Sequence, residues 1–216
     1  MRMAMRKQFT GLLVLAALVT SCTSEPEPKP AARSLCSMEK GSKGEKAVQQ
    51  AIRSDRFYTT IHRTTEELVQ SLGVHLRQMK DESLYTCVYD PRPDRNSKGA
   101  DVEFAWALPG ELEWGKVARE KIARYDVNGV HVESTYWLAQ LSVACRLPGD
   151  LAEASQRMLF HVELANLSNS ERRNDTEARK RQIELLYILA GRAADALGCE
   201  GDPLKGDPVV KPLPAA

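Results

Sequence analysis

Apolar residues recur at helical spacing over 44–54, where Ala47, Val48, Ala51 and Ile52 share one face, and this predicts a short first helix. Thr64 and Glu67 form a capping box that opens a second helix, with Leu68, Val69, Leu72, Leu76 and Met79 along one side. Gly73 falls inside that helix, where glycine costs about 1 kcal/mol against alanine. The period then changes from helical to alternating. Residues 56–61 and 84–89 are β-like runs, the second closed by Asp90-Pro91-Arg92-Pro93. Over 101–108, Val102, Phe104, Trp106 and Leu108 alternate with Asp101, Glu103, Ala105 and Ala107, so one face is core.

Segments 124–127 and 130–133 flank Asn128-Gly129, a pair suited to the positive φ of a tight hairpin. Residues 135–146 are expected to be the longest strand, with Trp137, Leu141, Val143 and Cys145 on one face and Pro148-Gly149 as its stop. Over 157–166 the apolar residues scatter around a helical axis but align as a strand through Met158, Phe160, Val162 and Leu164, so strand is the reading. Thr176 caps a final helix over 177–197, whose face of Gln182, Leu186, Leu189, Ala193 and Leu197 is joined by Leu185, Ile188 and Ala196. Gly198 sits at its C-terminal cap. The proline-rich stretch after Glu200 is expected to be an extended or flexible tail. Together these predict an α+β fold: an antiparallel sheet of about five strands, its apolar face covered by the long C-terminal helix and the N-terminal helices, stapled by disulfides.

The N-terminus follows a different rule. Arg2, Arg6 and Lys7 precede an apolar run over 11–19, about half the length needed to span a bilayer. Val19-Thr20-Ser21-Cys22 then resembles the lipobox of bacterial lipoprotein precursors. The resemblance implies cleavage after Ser21 and a lipid on Cys22, hence a protein held to the extracytoplasmic face of the cell membrane. Residues 23–34 follow with alternating prolines, a polyproline-like tether that reaches roughly 35 Å at about 3.1 Å per residue. The expected organisation is therefore signal 1–21, lipidated cysteine and tether 22–34, one domain 35–200, and tail 201–216.

Loss of Arg2, Arg6 and Lys7 takes the formal charge from +1 to −2. That balance argues against nucleic acid as a partner, because such binders need a basic face to displace counterions. Setting Cys22 aside also leaves an even set of cysteines: Cys36, Cys87, Cys145 and Cys199. Their wide spacing excludes a C-x-x-C motif and, in an exported chain, points to two disulfides with three pairings open. Cys36 precedes the first helix and Cys199 follows the last, while Cys87 and Cys145 lie in strands. The economical pairing is Cys36–Cys199 with Cys87–Cys145.

The chain carries no G-x-S-x-G, no H-E-x-x-H, no phosphate-binding glycine loop and no dinucleotide fingerprint, so no cofactor and no catalytic residue is expected. His-Val-Glu occurs twice, at His131-Val132-Glu133 and His161-Val162-Glu163. On a strand each motif places an imidazole and a carboxylate on one face, and two such strands side by side would offer a zinc set. Simple alternation on a half-buried strand explains the same pairs, and it is the preferred reading. Trp114, in the connection 109–115, either packs with Leu112 as a lid, which is preferred, or serves as an exposed contact residue.

Beyond the lipobox, the pattern Cys36, Arg56-Phe57, Cys87, Cys145 and Leu197-Gly198-Cys199-Glu200 resembles small exported lipoproteins of actinomycetes. That likeness brings no catalytic residues. The function expected is a non-enzymatic binding module for an envelope protein or small ligand. An envelope hydrolase with an unmarked site, or an accessory subunit of a transport or secretion complex, is the alternative. Non-reducing peptide mapping tests the cysteine reading: Cys36 joined to Cys199 supports the economical pairing, and Cys36 joined to Cys87 refutes it.

Overall fold

The three longer helices among the described residues begin where a side-chain oxygen satisfies one of their first free amides. The computed structural model describes residues 34–92, 99–110, 122–169 and 175–214; Cys22, the tether up to residue 33 and Trp114 lie outside them. Ser42 caps α1 (Lys43–Ile52) by accepting from the Glu45 amide at 3.1 Å. The expected capping box opens α2 (Thr65–Arg77): Thr64 Oγ1 accepts from the Glu67 amide, and the Glu67 carboxylate accepts from the Thr64 amide. α3 (Ala152–Arg157) is a short helix ahead of a strand. α4 (Thr176–Leu197) is capped by Asp175 rather than by Thr176, and it ends on Gly198 at φ 76°. No helix among the described residues is long and apolar enough to cross a membrane.

The strands are β1 (Tyr58–Ile61), β2 (Leu84–Asp90), β3 (Ala100–Ala107), β4 (Ala123–Val127), β5 (Val130–Ser134), β6 (Leu138–Val143), β7 (Leu159–Asn166) and β8 (Val210–Pro212). They form one eight-stranded sheet in the order β1-β2-β3-β7-β6-β5-β4-β8, antiparallel throughout. The α+β class and the antiparallel sheet are as expected; the strand number is larger than about five. The Asn128-Gly129 hairpin joins the same sheet, and β1 and β8 extend its two edges.

The alternating residues sort as their chemistry requires. Val102, Phe104 and Trp106 of β3 face Leu164, Val162 and Phe160 of β7, all fully buried, with the Phe104 and Phe160 rings stacked 6.1 Å apart. Trp106 Nε1 donates to the Leu72 carbonyl at 2.9 Å, which fixes α2 over β3. α4 packs on β5, β6 and β7, and α1 packs on α4. In the second turn of α4 the buried Gln182 donates to Ser134 Oγ (2.7 Å) and to the carbonyls of Thr135 (3.0 Å) and Leu138 (3.3 Å), and it accepts from Asn169 Nδ2. A buried amide is tolerable only with such partners.

Three expectations are corrected. The strand over 135–146 is shorter: Thr135 Oγ1 accepts from the Leu138 amide and the Thr135 amide donates to the Leu138 carbonyl, closing a turn that leaves Trp137 between β5 and β6. The stretch after Glu200 is seated on the domain over its first part. Glu200 bridges to Arg146, Leu204 is buried, and β8 pairs with β4. Asn128 holds this strap with its amide, donating to the carbonyls of Lys205 and Asp207 and accepting from the Val209 amide.

The cysteine pairing is the third. The bonds are Cys36–Cys87 and Cys145–Cys199, not Cys36–Cys199 and Cys87–Cys145. The sheet order gives the reason. β3 and β7 separate β2 from β6, so Cys87 and the end of β6 lie three ladder spacings apart, about 14 Å, where a disulfide needs Cα atoms within about 7 Å. The N-terminal segment instead crosses β2, where the Tyr89 hydroxyl donates to the Cys36 carbonyl. The Glu200 amide donates to the Arg146 carbonyl, which brings Cys199 beside Cys145.

Each bond closes a loop of similar size, with sequence separations of 51 and 54. In the chain-entropy model such a loop stabilises the fold by about 4 kcal/mol. Non-reducing mapping should return the two consecutive pairs. The double variant Cys145→Ala/Cys199→Ala should lose about 3–4 kcal/mol in denaturant unfolding; a loss under about 1 kcal/mol would show that the bond constrains nothing.

Candidate functional site

The residues that the His-Val-Glu repeat singles out all lie on the sheet face turned away from the helices. Alternation puts them there: Val132 and Val162 point into the core, so their neighbours at one residue's distance point out. His131 and Glu133 sit on β5 and His161 and Glu163 on β7, with β6 between them. Glu163 pairs with Gln140 of β6, and Gln140 pairs with Glu133. The two motifs are thus two ladder spacings apart, about 10 Å, against metal–ligand bonds near 2 Å. The structure brings His131 to 3.9 Å from Glu133 but does not bring the two motifs together. Among the described residues no three histidines, cysteines or carboxylates are grouped to hold a metal ion.

The same register builds a polar row that single-residue reasoning did not find. Tyr85, Glu103, Glu163, Gln140, Glu133 and Arg124 are successive partners across six strands. Arg124 Nε donates to one oxygen of Glu133 and Gln140 Nε2 to the other. Burial raises the pKa of Glu163, and the Glu103 carboxylate opposite raises it further. Asp101 is also raised by burial, against a hydrogen bond from Tyr85, whose phenol is pushed up to about 12 by burial and by Asp101. The ring of His62 lies 4.7 Å from that of Tyr85.

His161 is buried, with its Nδ1 2.9 Å from Ser142 Oγ. Burial pushes its pKa down to about 4, with a hydrogen bond to the Leu141 carbonyl opposing. The imidazole is therefore neutral at neutral pH. A serine beside a neutral imidazole has the parts of a nucleophile and base, but a base this acidic takes up a proton poorly near pH 7. The depression in front of Ser142, walled by His131, Glu133 and Gln140, holds about 110 Å³. Ligand sites typically hold about 300–1,000 Å³.

The larger concavity is on the helical side. Between α1, α4 and the strap lies a groove of about 660 Å³. Its floor is apolar, made by Ala47, Tyr187, Ile188 and Leu204, and its rims carry Lys43 and Lys46 on α1 and Glu184 and Asp195 on α4. Tyr187 is buried and donates to the Lys205 carbonyl at 3.1 Å, so the aromatic floor and the Asn128 clamp hold the strap from two sides. Burial raises the Glu184 pKa, with Glu177 adding to it and Arg181 and Lys180 opposing. The groove was not legible in the sequence, because it joins a helix, a second helix far along the chain, and a segment expected to be loose. Asn128 was a signal, read only as a turn residue. No family model, no curated protein and no solved structure matches this chain.

The histidine gives a pH test. Its folded pKa is depressed, so between about 6.5 and 4 the unfolded chain binds a proton that the fold refuses. The stability His161 contributes is full above about pH 6.5 and is lost as pH falls towards 4, a change of up to about 3 kcal/mol. Glu163 and Asp101, both raised, act in the opposite sense as pH falls into the carboxylate range. His161→Gln should therefore unfold with a flatter, less acid-labile profile between pH 6.5 and 4 than the parent chain. Identical profiles would mean that His161 is not held neutral.

Proposed function

We propose that this chain is a lipid-anchored extracytoplasmic binding module whose ligand seat is the groove between α1, α4 and the strap. The groove carries the reading: it is concave, apolar at the floor and charged at the rims, and its volume of about 660 Å³ falls in the range of ligand sites. Two disulfides tie in the segments next to it, Cys36 just before α1 and Cys199 just after α4, which suits a seat that works outside the reducing cytoplasm. The lipobox ending in Cys22 and the proline-rich tether support attachment to the membrane at a distance of tens of ångströms. The ligand is an envelope protein or a small molecule. The hydrolase alternative would rest on Ser142 and His161, and it is the weaker reading because of the small depression and the poor base there.

Two measurements check this. Cys22→Ser should move the chain from the membrane fraction to the soluble extracytoplasmic fraction; retention in the membrane would refute lipid anchoring. Ile188→Trp fills the groove from the middle of its floor. A ligand present at a hundred times its Kd stabilises the fold by about 2.7 kcal/mol. Thermal-shift hits from a fragment library should therefore disappear in Ile188→Trp, and hits that persist unchanged would place the seat elsewhere.

A further inference from the structure

The two edges of the sheet differ in chemistry. β8 carries Pro212 within it, Pro208 and Pro214 on either side, and the exposed Lys211. Proline has no amide to offer a further strand, and an edge lysine resists being covered, so these residues guard β8 against pairing. β1 has neither guard. Its residues, Tyr58-Thr59-Thr60-Ile61, all favour strands and include no charge and no proline. Tyr58 and Ile61 are left 54 % and 42 % exposed.

The backbone of β1 is only half used. The His62 amide donates to the Thr86 carbonyl, and the register runs on with Thr60 against Val88 and Tyr58 against Asp90. In an antiparallel ladder alternate residues turn their N–H and C=O to the same neighbour, so those of Thr59 and Ile61 point away from β2. No described strand takes them. Such an edge is completed by one more extended strand.

The flanks of β1 select which strand. Asp55 stands four residues before Thr59, and Arg63 four residues after it. Asp55 is exposed and Arg63 half-buried, and neither forms an ion pair among the described residues. A second β1 laid antiparallel with Thr59 opposite Thr59 exchanges the outward bonds of that residue and sets Ile61 opposite Phe57. It also brings each Asp55 to the Arg63 of the other copy, while Arg56 meets His62 rather than another arginine. A slip of one residue faces outward groups with inward ones and forms no ladder. A slip of two leaves Asp55 opposite Thr65 or Ile61, so the charges favour a single register.

We propose that β1 is a homodimer edge: two copies of this chain pair antiparallel through β1, about a two-fold axis at Thr59. The pairing joins two eight-stranded sheets into one, with both sets of helices on the same face. It is independent of the groove.

The test uses the full chain purified in detergent, followed by sedimentation and by disulfide trapping. The parent should sediment as a dimer in equilibrium with monomer. Thr59→Cys should give a covalent dimer on mild oxidation, because directly opposed hydrogen-bonded residues have Cα atoms about 5.5 Å apart, within reach of a disulfide. Thr60→Cys should give none, since its counterpart lies two residues out of register. Asp55→Arg should raise the dimer dissociation constant about fivefold or more, and Asp55→Arg/Arg63→Asp should restore it. Thr59→Pro should dissociate the dimer yet melt with the parent monomer, because the amide it removes serves no bond within the chain. A chain that is monomeric throughout and leaves Thr59→Cys uncrosslinked overturns the proposal, whatever other protein takes this edge. Trapping through Thr60→Cys alone, or a dimer indifferent to Asp55→Arg, overturns it equally.

Discussion

The placement of α4 depends on one buried amide. Gln182 has no access to water, and its amide nitrogen is satisfied only by the turn that links β5 to β6, through Ser134, Thr135 and Leu138. Its oxygen takes the hydrogen bond from Asn169 in the short turn that follows β7. One side chain therefore ties the helix to two places on the sheet. An apolar stripe alone would let α4 slide along the sheet with little change in buried area, but the amide loses its partners after a shift of an ångström or two. Everything that uses α4 as a wall inherits this register: α1 packs on it, and Tyr187 and Gly191 lie one and two turns or so further on, facing the strap.

Local features were legible in the sequence wherever short-range chemistry decides them. The Thr64–Glu67 box, the Asn128-Gly129 turn, the alternation over 101–108 and the choice of strand for Phe160 to Leu164 are each settled within a few residues, and each agrees with the structure. The errors came where distant segments decide. Alternation continues through Trp137, yet Thr135 turns the chain there because its hydroxyl and amide meet Leu138. Prolines after Glu200 suggested a loose tail, but Leu204 finds a buried seat and Asn128 supplies the polar contacts. The disulfide pairing failed for a single reason. Strand β7, late in the chain, inserts between β3 and β6, and no local pattern reveals that insertion.

The candidate site divides in the same way. The His-Val-Glu repeat was visible because it is local, and it proved to be alternation on two strands that are not neighbours. Its consequence is electrostatic: a row of half-buried carboxylates and a histidine kept neutral. The groove is assembled from residues more than a hundred positions apart, so its members carry no shared signature.

The order of the cysteines along the chain has a kinetic meaning. Within the described domain each one bonds to the next to follow it, Cys36 to Cys87 and Cys145 to Cys199, so the two covalent rings are neither nested nor interlocked. A chain that meets an oxidant from its N-terminal end forward would close the first ring before the third thiol arrives. Both bonds then form correctly by capture of the nearest available partner, and no thiol–disulfide reshuffling, a process of seconds to hours, stands between synthesis and the folded state.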